Sequence, residues 1–103
     1  MKEYEELKKG LDRKEVVLLT ARCSIDYNGR AQSHLPEGDR IILIKPDGTL
    51  IVHQTTGSVP VNYMKDKTHY SLLREEGIIH LKAKHPTQQE YMNIEITHIH
   101  HIC

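Results

Sequence analysis

The hydrophobic pattern of the chain changes period after residue 14. In the first segment Tyr4, Leu7 and Leu11 recur at helical spacing, which predicts one amphipathic helix over residues 1–12, with Gly10 as its stop signal. From residue 15 to residue 102 the pattern is that of β-strands, with short apolar runs or strict alternation separated by turn residues. The sequence therefore predicts a single β-rich domain, residues 1–103, that begins with a helix.

The first strands are set by two apolar runs. VVLL at 16–19 resembles a strand covered on both faces, and alternation extends it to residue 27. NG at 28–29 indicates a turn because both residues tolerate positive φ, and a polar loop is expected over 31–39. IILI at 41–44 then predicts the next strand.

The second half of the chain shows turn signals at regular intervals. PDGT at 46–49 predicts a hairpin turn followed by a return strand, and a long loop is expected over 55–67. Three further strands are predicted in a meander, over residues 70–74, 78–84 and 92–102.

About seven strands without βαβ alternation indicate a mostly β fold, a half-open antiparallel β-barrel or sandwich with one short N-terminal helix. The side chains expected in its core are Val17, Leu19, Ile42, Ile44 and Ile51.

Composition restricts the function. The 14 Lys and Arg balance the 14 Asp and Glu, so bulk positive charge cannot drive nucleic-acid binding, and any such binding must use a local site. The chain has no apolar run near the ~18 residues of a membrane-spanning helix, and the polar N-terminus does not resemble a signal peptide. We therefore expect a cytoplasmic protein, without a membrane partner, whose Cys23 and Cys103 are reduced thiols.

Catalytic patterns are weak. The Glu-x-Lys string at 6–8 lies on the predicted helix, whereas metal-dependent nucleases carry such a string on a strand beside an Asp. Asp47, Glu75 and Glu76 fall in predicted turns, where solvated acids are ordinary. We predict no catalytic residues, no cofactor and no nuclease activity for this chain.

Two histidines near the C-terminus allow a metal site. His98 and His100 would share one face of an extended strand, about 6.8 Å apart, and could join a zinc site of three or four ligands. The simpler interpretation, which the pattern favours, is a surface strand end that carries polar aromatic side chains.

A third set of residues suits an unstacked nucleotide. Arg30 follows a tight turn, and Asn62 and Tyr63 lie together in the long loop. A cation, an amide and an exposed aromatic ring could hold a phosphate, read a base edge and stack on a base. The alternative is a surface Arg and a Tyr that packs under its own loop.

Three motifs resemble those of the NucS/EndoMS endonucleases, in the same order and at similar spacing. They are ARCSIDYNGR at 21–30, ILIKPDGTLIVHQ at 42–54 and PVNY at 60–63. The resemblance implies the family's N-terminal DNA-binding and dimerisation domain, a half-open β-barrel that precedes a separate nuclease domain. It also implies a homodimer, and partners such as mismatched, branched or single-stranded DNA and a NucS-like nuclease.

The resemblance assigns roles to individual residues. Arg30 matches the motif Arg, Asn62 the base-reading Asn, and Tyr63 the position of a stacking Trp; Tyr27 and Lys65 complete the expected DNA-binding set. Two departures predict weaker binding or altered substrate choice: Tyr replaces Trp, and residues 57–59 supply no Arg. The family's nuclease domain has no counterpart in the chain. The sequence thus leaves three interpretations: a non-catalytic DNA-binding module, a protein-interaction module, and a small metal-binding domain.

Overall fold

The structure, a computed structural model, describes residues 2–103. One helix precedes seven strands. Their bounds are α1 Lys2–Asp12, β1 Val17–Asn28, β2 Gln32–Ile44, β3 Leu50–Gln54, β4 Asn62–Met64, β5 His69–Glu75, β6 Ile78–His85 and β7 Glu90–Ile102.

All seven strands form one antiparallel sheet in the order β4-β3-β2-β1-β7-β6-β5. β2 pairs with β1 along its whole length and β7 pairs with residues 19–28, whereas β3 pairs only with residues 40–44 of β2 and β4 only with β3, so the sheet is staggered and coils. At one end the coil closes: the Lys67 amide donates to the Asp47 carbonyl at 2.7 Å, and the Tyr70 hydroxyl donates to the Gly48 carbonyl at 2.6 Å. The two edge strands do not pair with each other, so the predicted half-open barrel is confirmed.

The inner face of the sheet is the core. Along β1, residues 17, 19, 21, 23 and 25 are buried while the residues between them reach the surface, as period-2 alternation requires. The matching positions of β2, β3, β6 and β7 complete the core. Four of the five predicted core residues are buried, namely Val17, Leu19, Ile42 and Ile44. The prediction for Ile51 is wrong, because Leu50 and Val52 take the inward positions of β3 and Ile51 lies on the outer face.

Helix α1 covers one opening of the coiled sheet. Leu7 is fully buried there, and the helix packs against β1, β5 and β7. The sequence suggested that the helix stops at Gly10, but the helix continues to Asp12. A Cβ on Gly10 would stand 2.8 Å from Val17 Cγ2, so glycine is needed for the close approach of helix and strand.

The β1–β2 connection is tighter than expected. Asn28 pairs with Gln32 across a three-residue turn, and neither Asn28 nor Gly29 has positive φ. β2 includes residues 32–39, where a polar loop was predicted. Pro36 is tolerated because it lies opposite a bulge between Cys23 and Ile25, on a part of β2 that β3 does not reach.

The expected loop over 55–67 also contains a strand. β4 pairs with β3 through three residues, too short a segment for a period to show in the sequence. The turns at Asp47-Gly48 and Glu76-Gly77 are confirmed, with Gly48, Glu76 and Gly77 all at positive φ.

The end of α1 gives a stability prediction. The Glu15 amide donates to the Gly10 carbonyl at 3.0 Å and the Lys14 amide to the Leu11 carbonyl at 3.2 Å, which is a Schellman motif with Lys14 at φ 54°. Lys14→Gly should therefore raise the free energy of unfolding by about 0.5–1 kcal/mol, because glycine adopts this conformation without steric cost. Thermal unfolding should show a higher midpoint. Lys9→Gly, at an exposed position inside the same helix, should lower it.

Candidate nucleic-acid interface

The β1–β2 hairpin tip presents Tyr27 and Arg30 together. Arg30 is exposed in the turn, and Tyr27 is half-buried at the end of β1. Gly29 between them is needed for space, because any Cβ there would collide with the Tyr27 hydroxyl and crowd Glu90. The motif therefore holds its Tyr and Arg side by side at the rim of the sheet.

Glu90 fixes the Tyr27 ring. The Tyr27 hydroxyl donates to the Glu90 carboxylate at the start of β7. This hydrogen bond, with burial and the carboxylate charge, raises the pKa of the Tyr27 phenol above its ordinary value. The ring is thus held neutral and oriented beside Arg30.

Strand β4 separates Asn62 from Tyr63. Tyr63 is 61% exposed and lies in register with Ile51, Leu43 and Leu18 on the outer face. Asn62 points inward with Met64, in register with Val52, and its buried Nδ2 has no hydrogen-bond partner. The neighbours in sequence therefore lie on opposite faces of the sheet.

Lys65 follows β4 and lies beside Tyr63. Both line a shallow hollow of about 400 Å³ together with Pro60 and Ile51, and the acids Asp47 and Asp66 also reach it. An exposed tyrosine and a lysine thus border this hollow.

The predicted residues form two groups at different ends of the sheet. Tyr63 is level with Leu18 on β1, whereas Arg30 follows Asn28, ten residues further along the strand. At about 3.3 Å per residue the path along β1 is at most ~33 Å. One small ligand is too short to contact both groups along the extended strand β1, but a nucleic-acid strand is long enough to do so.

The outer face near Tyr63 is apolar. We call Leu18, Leu43, Ile51 and Tyr63 the outer apolar row, because they stand in register across β1, β2, β3 and β4. Leu18 is 41% exposed and its neighbour Val16 is 59% exposed. The run at 16–19 was expected to be covered on both faces, and this expectation is wrong for the single chain.

The C-terminal histidines join an ionic cluster. A bulge in β7 brings the rings of His98 and His100 to 4.8 Å between centroids, and His100 Nε2 stands 2.9 Å from Asp39 Oδ1. This contact lowers the pKa of Asp39, and Arg22 pairs with Glu37 beside it at 2.7 Å. Over residues 2–103, no three His, Cys, Asp or Glu side chains are arranged to hold a metal ion.

The sequence reasoning missed a second aromatic site. The exposed ring of Tyr91 on β7 lies next to Lys84 of β6, with the ammonium 5.6 Å from the ring centroid. The sequence does contain a signal for this site: Lys82 and Lys84 alternate along a predicted strand, which places both cations on one face.

The fold and these side chains define a class of protein: a small antiparallel β-domain that displays aromatic and cationic groups on hairpin tips and on an outer sheet face. In the part of the chain described, no helix has the length and apolar character needed to cross a membrane.

Comparison with known proteins identifies the family. The profile of the endonuclease NucS N-terminal PH-like domain matches residues 13–103, and the chain belongs to this family. Endonuclease NucS of Pyrococcus horikoshii is 40% identical over 100 residues, and that of Methanocaldococcus jannaschii is 36% identical over 90 residues. These alignments cover 93% and 87% of this chain but only 38% and 34% of the relatives.

Solved structures show the same fold. EndoMS in a complex with double-stranded DNA superposes with a TM-score of 0.85 at 29% identity, covering 93% of this chain and 39% of that one. A repair endonuclease from Pyrococcus abyssi gives a TM-score of 0.67 at 33% identity, covering 92% of this chain and 39% of that one. The predicted relationship to NucS/EndoMS is therefore confirmed.

The Tyr27–Glu90 contact can be tested by titration. Glu90→Gln should lower the phenol pKa of Tyr27 toward its ordinary value, because the carboxylate that favours the neutral phenol is removed. NMR of ¹³C-labelled tyrosine would follow the ring through the titration. Glu95→Gln, on the other face of β7, should leave the pKa of Tyr27 unchanged. The same Tyr27 titration curve in wild type and in Glu90→Gln would contradict the Tyr27–Glu90 hydrogen bond.

Proposed function

We propose that this chain is a non-catalytic DNA-binding module for single-stranded, branched or mismatched DNA. The observation that carries the proposal is the exposed Tyr63 at the family position for a stacking aromatic residue, in a chain that matches the NucS N-terminal domain. The structural likeness to EndoMS, which has been solved with double-stranded DNA, supports the same role.

The binding chemistry is local. Tyr63 stacks on an unpaired base, and Lys65, which shares its hollow, contacts a neighbouring phosphate. Arg30 and Tyr27 contact the strand again at the hairpin tip, Arg30 by charge and Tyr27 with its oriented ring. Because the chain has no net charge, these few groups provide the attraction rather than a general positive field.

Asn62 reads the base from the edge of the sheet. Its inward direction keeps it off the face on which Tyr63 stands, but β4 is an edge strand. To contact a base stacked on Tyr63, the Asn62 side chain turns outward around that edge. The partnerless Nδ2 of Asn62 supports this role, since a buried donor without an acceptor is costly until something binds it.

Dimerisation is the second candidate function. The outer apolar row leaves Leu18 and Tyr63 exposed, and Leu18 belongs to the apolar run at 16–19, whose sequence is that of a strand covered on both faces. A second copy of the chain, or a NucS-like nuclease with the same domain, would bury this surface. Tyr63 belongs to both proposals, so the DNA-binding effect of a Tyr63 substitution must be compared with that of a Leu18 substitution, which affects only the dimer.

The matched region supports binding rather than cleavage. Residues 13–103 correspond to the N-terminal domain, and the relatives named as endonucleases are about three times as long as the alignments. We propose that cleavage, where it occurs, needs a nuclease domain beyond this region, and that the module acts in the cytoplasm.

Loss of the Tyr63 ring tests the DNA-binding proposal. Base–aromatic stacking contributes about 1–3 kcal/mol, so Tyr63→Ala should weaken single-strand binding by roughly 5- to 150-fold with little change in salt dependence. Tyr63→Trp should strengthen binding because indole offers a larger stacking surface. Arg30→Ala should instead flatten the salt dependence by about 0.7 units on a single strand and about 0.9 on duplex DNA, because one phosphate contact is lost.

Fluorescence anisotropy at two salt concentrations, with single-stranded, matched and mismatched oligonucleotides, would measure these effects. Val59→Ala is a suitable control, because Val59 is an exposed apolar residue of the same loop at 76% exposure. Unchanged affinity in a folded Tyr63→Ala protein would remove Tyr63 from the site.

Leu18→Glu tests dimerisation. We expect wild type to scatter light as about twice the chain mass of 11.9 kDa and the variant to scatter as a single chain, because a charge on the outer apolar row cannot be buried without a partner. Leu73→Glu is the matched control: Leu73 is 46% exposed on β5, away from the row. Single-chain mass for wild type at high concentration would refute the dimer.

A further inference from the structure

The outer face of β1, β7, β6 and β5 carries a groove that none of the predicted site residues accounts for. It has a volume of about 480 Å³. We call it the β6–β7 groove; the outer-face residues that line it include Asp26, Asn28, Lys82, Lys84, Tyr91 and Asn93.

Strand register explains how these residues meet. One row crosses the four strands through paired residues, Asn28, Tyr91, Lys84 and His69. A second row lies two residues further along each strand, where Lys82 of β6 pairs with Asn93 of β7. Side chains two residues apart share a face, so the two sets form parallel walls. The backbone of Ala83 and Met92 lies between them, and the side chains of those two residues are buried on the other face.

The groove is built from the groups that hold a nucleotide. Tyr91 is 48% exposed and presents a ring, over which the Lys84 ammonium stands 5.6 Å from the centroid. Lys82 adds a second cation on the same face. Asn93 adds an amide whose buried Oδ1 has no hydrogen-bond partner.

The charge of the groove favours an anion. Two lysines, Lys82 and Lys84, outnumber the one acid that lines the groove, Asp26, whose Oδ1 stands 2.6 Å from His34 Nδ1. Glu95, two residues beyond Asn93 on the same face, does not line the groove and lies 3.7 Å from His80. Lys82 and Lys84 take part in no ion pair among residues 2–103.

We propose that the β6–β7 groove binds a segment of single-stranded nucleic acid. A base stacks on Tyr91, Asn93 contacts its edge, and Lys82 and Lys84 contact the flanking phosphates. When the base covers the ring, the Lys84 ammonium turns from the ring to a phosphate. Arg30 lies two residues beyond Asn28, so the groove continues the hairpin-tip contacts across the sheet. This inference rests on the proposed DNA-binding function and extends it to a second surface.

Substitutions in the groove test this directly. The probe is a fluorescein-labelled single-stranded oligonucleotide of mixed sequence, titrated by anisotropy at two salt concentrations. Tyr91→Ala should weaken binding roughly 5- to 150-fold at either salt concentration, while Tyr91→Phe keeps the stacking surface and should bind like wild type. Lys82→Gln with Lys84→Gln should flatten the salt dependence by about 1.4 units, since each phosphate contact to a single strand contributes about 0.7.

The matched control is Lys2→Gln with Lys9→Gln, which removes the same charge from exposed positions of α1 and should leave the affinity near that of wild type. Equal losses in the control would mean a bulk charge effect and overturn the groove. Circular dichroism checks that each variant is folded, and Tyr91→Leu replaces Tyr91→Ala if the latter unfolds.

The other outcomes separate this inference from the proposed function. If wild type does not bind the oligonucleotide, both fall. If wild type binds and Tyr63→Ala weakens binding while all groove variants bind normally, only the groove is overturned. If the groove variants bind the oligonucleotide normally but differ from wild type in the mass measured by light scattering, the groove is a protein contact. That result also overturns the inference.

Discussion

The structure depends on the pairing of one strand, β1, with two partners along its length. β2 takes one edge of β1 and β7 the other, and through them every other strand joins the sheet. Because side chains alternate with period 2, this single register decides which residues of all seven strands enter the core. A slip of one residue would move Leu19 and Ile25 to the surface and expose the interior, so the core holds β1 in place and β1 in turn positions both proposed binding surfaces.

The same register gives the outer face two different halves. Level with Leu18 of β1, the outer face is apolar along the outer apolar row. Level with residues 26–28 it carries Lys82, Lys84 and Tyr91, which form the β6–β7 groove. Between the halves lies the ionic cluster of Arg22, Asp39 and His100. The β6–β7 groove can therefore bind a polyanion while a second copy of the chain covers the outer apolar row at the other end of the same face, and Tyr63 is the one residue that both DNA and the second copy would contact.

Much of this fold could be predicted from patterns in the sequence. The apolar runs correctly placed Val17, Leu19, Ile42 and Ile44 in the core, and the turns at Gly48 and Gly77 follow from a glycine requirement that is local. The errors arose where tertiary structure overrides a local signal. Gly10 lies inside the helix, where β1 approaches too closely for any side chain. Pro36 lies inside a strand, where a bulge in the partner strand accommodates it.

The candidate site was harder to predict for the same reason. Adjacency in sequence suggested that Asn62 and Tyr63 face one ligand, but a three-residue strand turns them to opposite faces. Tyr91 and Lys84 come together only through the β6–β7 register, which no motif records. A family motif marks which residues were candidates, and only the sheet shows which of them share a surface.

Zero net charge and nucleic-acid binding are compatible because the charges are not mixed evenly. Several acids are matched by a nearby cation: Arg22 pairs with Glu37 at 2.7 Å and lies 4.0 Å from Asp39, and on α1 Lys8 pairs with Asp12. Pairs as exposed as these contribute little to stability, typically ~1 kcal/mol or less, but they cancel charge where it would repel a phosphate. Arg30, Lys65, Lys82 and Lys84 form none of the ion pairs found in residues 2–103. The local field at the hairpin tip and groove is therefore more positive than the composition indicates, and attraction confined to a few unpaired cations acts within about one Debye length, ~8 Å at physiological salt.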